Sequence, residues 1–338
     1  MPAIAGAREG GMRRLKSVLV AAALALLCAA PALAEGTVRI GVLKFGTVNW
    51  EVDTIRTNGF DRSNGFELQV VELAGNDATK VALQADAVDI IVSDWLFVAR
   101  QRAEGLKLTF VPYSTSVGAI MVPADSPVRE IPDLKGMKIG VSGGPLDKGW
   151  LMLRGYAEDR YGFDLAAETE QVFGAPPLLS EKLQQGELAA TLNYWNYNAI
   201  LEAKGYRTIA SGQEAARSLG ASGDISAIGY VFKEDWADAN SDLAMSFVKA
   251  SRAAKERLAA EDAEWARLRP MMNADDDAVF QTLVTRYREG IPSRPVAEEE
   301  RDTAKVYDFL AEIGGEKLVG AARTMPEGTF WRALKNGS

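Results

Sequence analysis

From Val38 onward, short apolar runs alternate with segments whose apolar residues recur at helical spacing. Residues 38–43 form an apolar strand pattern, followed by the loop Gly46-Thr47-Val48-Asn49-Trp50 and a helical start. Residues 66–73 alternate as a second strand. Residues 79–86 read as helix, 88–92 as a buried strand, 95–104 as helix and 108–112 as strand. Such alternation predicts an α/β sheet with helices on both faces. Residues 113–124 are extended and run into a turn-rich stretch, which predicts a strand crossing between two lobes. A second α/β unit follows: strand 137–141, the turn Ser142-Gly143-Gly144-Pro145, helix through Tyr161, strand 169–173, helix 178–185 and strand 188–192. Residues 227–232 read as the return crossing. Beyond them the pattern turns helical over 242–268, 277–287 and 296–313, and this tail is expected to pack back on the first lobe.

The two units carry a trace of repetition. Residues 83–105 and 183–205 align without a gap, sharing Leu83 with Leu183, Gln84 with Gln184, Trp95 with Trp195, Ala99 with Ala199, Ala103 with Ala203 and Gly105 with Gly205. Each copy holds a polar-aromatic turn between strand and helix, Ser93-Asp94-Trp95 in one and Asn193-Tyr194-Trp195 in the other. Ligands of open α/β sheets bind outside the carboxyl ends of the strands, so two such turns facing each other would line one cleft.

The first 34 residues read as an export signal: Arg13, Arg14 and Lys16, then an apolar stretch from Val18 to Ala30, then Ala32-Leu33-Ala34 before Glu35. Either Met1 or Met12 suits the start of such a segment. An exported, periplasmic protein is expected. Cys28, the single cysteine, lies inside the signal behind Leu26-Leu27, so neither a lipid anchor nor a disulfide is expected. The net charge of −8 becomes more negative without the leader, which holds Arg8, Arg13, Arg14 and Lys16 against Glu9. Such a surface repels nucleic acid.

There is no histidine in the 338 residues, which removes the side chain most used for proton transfer near neutral pH and for binding transition metals. Gly140-Val141-Ser142-Gly143-Gly144 fits G-x-S-x-G, but without a histidine no triad can be built, and it reads as a glycine-rich turn opening a helix. Ser246-Phe247-Val248-Lys249 fits S-x-x-K within an amphipathic helix. The acidic run from Asn273 to Asp277 lacks the glycine and glutamate of a calcium loop and reads as a helix start. No catalytic residue, metal or cofactor is expected.

The signal, the Leu-Gln segments, the crossing strand, the stretch Asp133-Leu134-Lys135-Gly136-Met137-Lys138-Ile139-Gly140-Val141 and the stretch from Leu183 to Leu192 together resemble periplasmic solute-binding proteins of ABC importers. Within these the chain is most similar to the nitrate/sulfonate/taurine-type group. The resemblance implies a two-lobed periplasmic binding protein type II fold with a hinge of two crossing strands and a helical C-terminal tail. It places lobe I in residues 35–120, lobe II in 121–225, and the rest of lobe I with the C-terminal helices in 226–338. It also implies a monomer that closes on a small organic solute and delivers it to an ABC permease and its ATPase. A periplasmic sensory subunit of the same fold is the alternative. Pyrimidine-forming enzymes on this fold use His and Cys, which the mature chain lacks.

Carried over by position, the ligand-binding residues are Gly46, Thr47, Asn49, Trp50, Ser93, Asp94, Trp95 and Ser114 from lobe I. From lobe II they are Ser142, Gly143, Phe173, Asn193, Tyr194 and Trp195. The candidate turns offer one nearby lysine, Lys148, against Asp94, Glu51 and Asp147, which departs from an oxyanion site. Stacked indoles beside Asp94 suit a cation. Backbone N–H groups of the Ser142-Gly143-Gly144 turn suit a carboxylate. An amine-bearing or zwitterionic solute fits both.

Overall fold

The computed structural model describes residues 36–334, so the signal segment, Cys28 and the choice between Met1 and Met12 lie outside the described residues. The first sheet contains β1 (Gly36–Leu43), β2 (Phe66–Leu73), β3 (Ile90–Ser93), β4 (Leu108–Ser114) and β10 (Ile228–Lys233), in the order β2-β1-β3-β10-β4. The second contains β5 (Ala119–Val122), β6 (Lys138–Ser142), β7 (Glu170–Gly174), β8 (Ala190–Asn193) and β9 (Arg207–Ser211), in the order β7-β6-β8-β5-β9. In each, three strands run parallel and a reversed strand, β10 or β5, pairs antiparallel with both its neighbours. The chain therefore builds the same sheet twice.

Helices α1 (Val48–Thr57), α2 (Phe60–Ser63), α3 (Asn76–Gln84) and α4 (Trp95–Ala103) belong to the first sheet. Helices α5 (Lys148–Tyr161), α6 (Leu165–Glu168), α7 (Pro176–Gln184), α8 (Trp195–Ala203) and α9 (Gly212–Ser218) belong to the second. The repeat seen in the sequence holds at the level of elements. Strand β3 and helix α4 recur as β8 and α8 at an offset of 100, and Gly105 and Gly205 follow each helix in the left-handed conformation, at φ 94° and 88°.

The remaining chain forms α10 (Glu234–Ala239), α11 (Ser241–Ala260), α12 (Asp262–Leu268), α13 (Asp277–Glu289) and α14 (Val296–Val319). The expected single helix over 242–268 is broken at Glu261, which takes an extended conformation at φ −114° and ψ 111°. The tail does not pack on the first lobe alone. Phe280, Leu283, Val284 and Tyr287 of α13 share a core with Ala199, Ile200 and Ala203 of α8, because that apolar face of the second lobe is otherwise uncovered. Helix α14 touches both lobes as well: Tyr307 meets Trp95 of α4 at 6.5 Å, and Phe309 lies against Gly155 of α5.

Between β4 and β5 the expected crossing strand is interrupted at residues 115–118, and the second crossing follows α9. Ala227 N–H donates to Ser114 C=O at 2.8 Å, so the two crossings are tied side by side, and Gly212 N–H donates to Gly118 C=O at 3.0 Å where α9 begins. The Gln213 amide donates to Ile225 C=O at 2.9 Å and to Thr115 C=O at 2.5 Å. Thr115 N–H donates to Gly290 C=O at 2.9 Å, which fastens the end of α13 to the same point.

Gly118 leaves no room for a side chain, since a Cβ there would lie 2.3 Å from the Asn193 carbonyl oxygen. Gly118→Ala is expected to lower stability by roughly 1–3 kcal/mol through this overpacking, measured by denaturant unfolding. An unchanged midpoint would contradict the close approach.

Candidate functional site

The two turns that open α4 and α5 are built by aspartates. Asp94 accepts from Phe97 N–H at 2.9 Å and Asp147 from Trp150 N–H at 3.0 Å, each satisfying a donor that the first helical turn leaves unpaired. Gly143 is held at φ +83°, and a Cβ on it would lie 2.5 Å from Asp147 Oδ2. The glycine thus lets the chain turn tightly over the capping carboxylate.

Lys148, the first residue of α5, reaches out of the second lobe. Its Nζ donates to Ala227 C=O at the hinge at 2.6 Å and stands 5.2 Å from the centre of the Trp95 ring. Burial lowers the Lys148 pKa, against the pull of the Asp94 and Asp147 charges. Burial raises the Asp147 carboxyl, and the Asp94 charge adds to this, while the Trp150 N–H and Lys148 oppose it. The Tyr194 hydroxyl is raised by burial and then by Asp147 and Asp94. Asp94 from one lobe and Asp147, Lys148 and Tyr194 from the other therefore act on one another across the junction.

Gly46, Thr47, Asn49 and Trp50 line a cavity of about 410 Å³ together with Lys44, Arg56 and Met271, and Asn196 of α8 joins them from the second lobe. Asn49 shapes this turn by donating its amide to Leu43 C=O at 2.8 Å. Ser93 and Ser114 are half-buried, and the Ser114 hydroxyl accepts from Ser116 N–H at 3.1 Å. Phe173 is exposed at the end of β7.

Other expected ligand residues face inward. Trp95 is fully buried against Tyr307, so its indole face is not offered to a solute. The Ser142 hydroxyl donates to Asn193 Oδ1 at 2.8 Å, and the Asn193 amide donates to Pro176 C=O and Ser180 Oγ, both at 2.9 Å. These two buried side chains join β6, β8 and α7 and have spent their hydrogen bonds inside the lobe. Trp50 is also buried, edge-on to Trp195 at 6.0 Å and to Trp265 at 5.9 Å, with Tyr287 at 5.9 Å. Trp50 and Trp195 were expected to present their faces to a solute; instead they meet each other, one from each lobe.

Glu51, expected as a helix-start acid, is fully buried. It accepts from Tyr230 Oη at 2.5 Å, Ser251 Oγ at 2.6 Å and Tyr287 Oη at 3.3 Å, and pairs with Lys255. Lys255 stands 4.1 Å from the Tyr113 ring centre. Burial depresses Lys255 and drives the phenols of Tyr113, Tyr230 and Tyr287 well above their ordinary range. This network anchors α1 to α11 and α13. Trp265 and Tyr287 beside the first turn are marked in the sequence only by the apolar stripe of the tail helices, and Lys255 by no local signal.

A family model described as NMT1/THI5 like matches residues 55–264, more than half of the chain. The chain belongs to this NMT1/THI5-like family. No curated protein matches it. Among solved structures, the periplasmic aliphatic sulphonate binding protein SsuA from Escherichia coli superposes with a TM-score of 0.67 at 18% identity, over 89% of this chain and 99% of that one. The alkanesulfonate-binding protein SsuA from Xanthomonas axonopodis pv. citri, bound to MOPS, gives 0.64 at 16% identity over 90% and 99%. The desulfurization enzyme DSZB gives 0.56 at 16% identity over 87% and 98%. At these identities the likeness is one of fold: this NMT1/THI5-like chain has the two-lobed periplasmic binding protein architecture.

Its hinge contains a buried carboxylate. Glu299 of α14 accepts from Ser226 Oγ of the second crossing at 2.9 Å, and burial pushes its pKa up from 4.5 to about 7, with Asp224 adding and Ser226 and Arg294 opposing. A raised acid binds its proton more tightly when folded, so its contribution is fully present below pH 4.5 and is lost as pH rises through about 7. Glu299→Gln is therefore expected to gain on the wild type across that window, by on the order of 3 kcal/mol, in urea unfolding at stepped pH. A difference between the two proteins that does not vary with pH would show that Glu299 is not the titrating group.

Proposed function

We propose that this NMT1/THI5-like chain is the periplasmic solute-binding component of an ABC importer, taking a small organic solute between its lobes without chemical change and passing it to a membrane permease. The sulfonate-binding proteins on the same fold support the solute-binding role. The absence of histidine, and of cysteine beyond Cys28, counts against an enzymatic role such as that of DSZB.

The observation that carries the reading of the site is Lys148 of the second lobe, whose Nζ stands 5.2 Å from the centre of the Trp95 ring of the first lobe and donates to Ala227 C=O at 2.6 Å, with Asp94 and Asp147 capping the helices on either side. Lys148 answers the Asp94 and Asp147 carboxylates only in part, since one ammonium against two carboxylates leaves a net negative charge, and an ammonium group on a solute meets the remainder. A ligand shifts a two-state hinge only by its difference in affinity for the open and closed forms, and a cation at this point binds the closed form better. Lys148 and the N–H groups of the Gly143-Gly144 turn answer a carboxylate on the same solute. An amine-bearing or zwitterionic solute follows.

Native mass spectrometry of the purified protein should show a retained organic amine. Asp94→Asn and Asp147→Asn should each weaken binding of that compound by about tenfold or more, as expected for a charge-assisted hydrogen bond. Their unfolding midpoints should stay close to the wild type, because Asn caps a helix as well as Asp does. Unchanged affinity in both variants would remove the site from this junction.

A further inference from the structure

Helix α13 lies between the two bodies that the hinge joins. On one side it is fixed to the first lobe and its tail: the Tyr287 hydroxyl donates to Glu51 Oε2 at 3.3 Å, Arg288 Nε donates to Leu258 C=O at 3.0 Å, and Arg288 pairs with Asp262 at 2.7 Å. Its end is fixed to the first crossing. Thr115 N–H donates to Gly290 C=O, the Ser116 hydroxyl donates to Arg286 C=O at 3.4 Å, and a Cβ on Gly290 would lie 1.9 Å from Ser116 Oγ.

On its other side α13 meets the second lobe. Arg286 Nε donates to Glu202 Oε2 of α8 at 2.8 Å, and its Nη2 pairs with Glu202 Oε1, a two-pronged contact that fixes direction as well as distance. Arg286 Nη1 donates to Glu289 Oε2 at 2.6 Å, which steadies the guanidinium on its own helix. Leu283 and Val284 of α13 share a core with Ala199 and Ala203, small residues one helical turn apart on α8. Glu202 and Arg286 keep 38% and 44% of their side-chain surface, and neither lines the cavity beside Trp50. An exposed ion pair adds little to the stability of a fold. This one has its partners on different bodies, so what it distinguishes is one placement of the lobes from another.

The placement in which it forms is one with the turns of the two lobes in contact: Trp50 against Trp195 at 6.0 Å, and Lys148 against the Trp95 ring at 5.2 Å. We infer that Arg286 and Glu202 form a clasp, outside the solute site, that holds the lobes in this closed placement. Movement of one lobe against the other must shear the pair. A hinge that the clasp already biases toward closure binds its solute more tightly, so retention is set in part by two residues that never meet the solute. The clasp stands on the two-lobed fold and these contacts, whatever the solute.

The test measures lobe placement directly, with no solute added. Val81→Cys on α3 and Leu178→Cys on α7, both exposed, are spin-labelled in a Cys28→Ser background, which removes the chain's single cysteine. The distance between the labels is read by pulsed electron paramagnetic resonance in this parent, with Glu202→Arg, with Arg286→Glu, and with both exchanges together. Each single exchange should move the main distance outward by several ångströms, Arg286→Glu further because it sets an acid beside both Glu202 and Glu289. The double exchange rebuilds a pair of opposite charges and should return the parent distance. An unchanged or shorter distance in either single variant overturns the clasp. A lengthening that the double exchange does not reverse overturns it too, because the residues then act on the folding of their own helices and not on each other.

Discussion

The hydrogen bond from Ala227 N–H to Ser114 C=O holds the two halves of this molecule in register. Each crossing is a single stretch of backbone, and an isolated stretch would leave the lobes free to swivel. Tied together, they resist that swivelling. Gln213 bridges the same pair from the side, and Gly290 adds the end of α13. Lys148 donates to the carbonyl of Ala227 itself, so the charged junction and the hinge share an atom's neighbourhood. A change in what surrounds Lys148 is thereby felt where the lobes pivot.

The second organising element is the wedge of tail helices. Trp50 of the first lobe and Trp195 of the second touch within a core shared by α8, α11, α12 and α13. The Arg286 guanidinium pairs with Glu202 of α8 and also with Glu289 on its own helix, which holds it well above its ordinary range. Relative motion of the lobes must therefore be accommodated by sliding at the α8–α13 contact rather than by simple separation. Polar caps at the cleft turns and apolar packing behind them divide the labour: aspartates placed by helix geometry face the junction, while indoles that the same turns carry are drawn into cores.

Much of this was legible because local pattern and final environment agree. The strand over 66–73 has the boundaries of β2, since its alternation reflects one buried face. The 100-residue offset foretold two units of the same build. Strand β9 and helix α9 escaped notice because Arg207-Thr208-Ile209-Ala210-Ser211 holds only Ala210 fully buried and shows no clear alternation. At the site, Trp95 meets Lys148 of the other lobe with its indole buried, whereas Ser142 and Asn193 turn their side chains into their own lobe. The difference lies in partners far away in sequence: Tyr307 covers Trp95, while Trp50 and Tyr287 meet Trp195. Equivalent positions of a repeat look alike in sequence and diverge through what the rest of the chain lays over them.

The position of β10 has a further consequence. It sits between β3 and β4, so the first sheet has a gap through its middle until residue 233 is available. The second sheet draws all five strands from residues 119–211 and needs nothing from either end of the chain. During vectorial emergence from a ribosome or a translocation pore, the later-starting sheet is thus the earlier one to have all its strands. The facing edges of β3 and β4 must wait unpaired for the chain to return, and they are the part of the nascent molecule most in need of protection from aggregation.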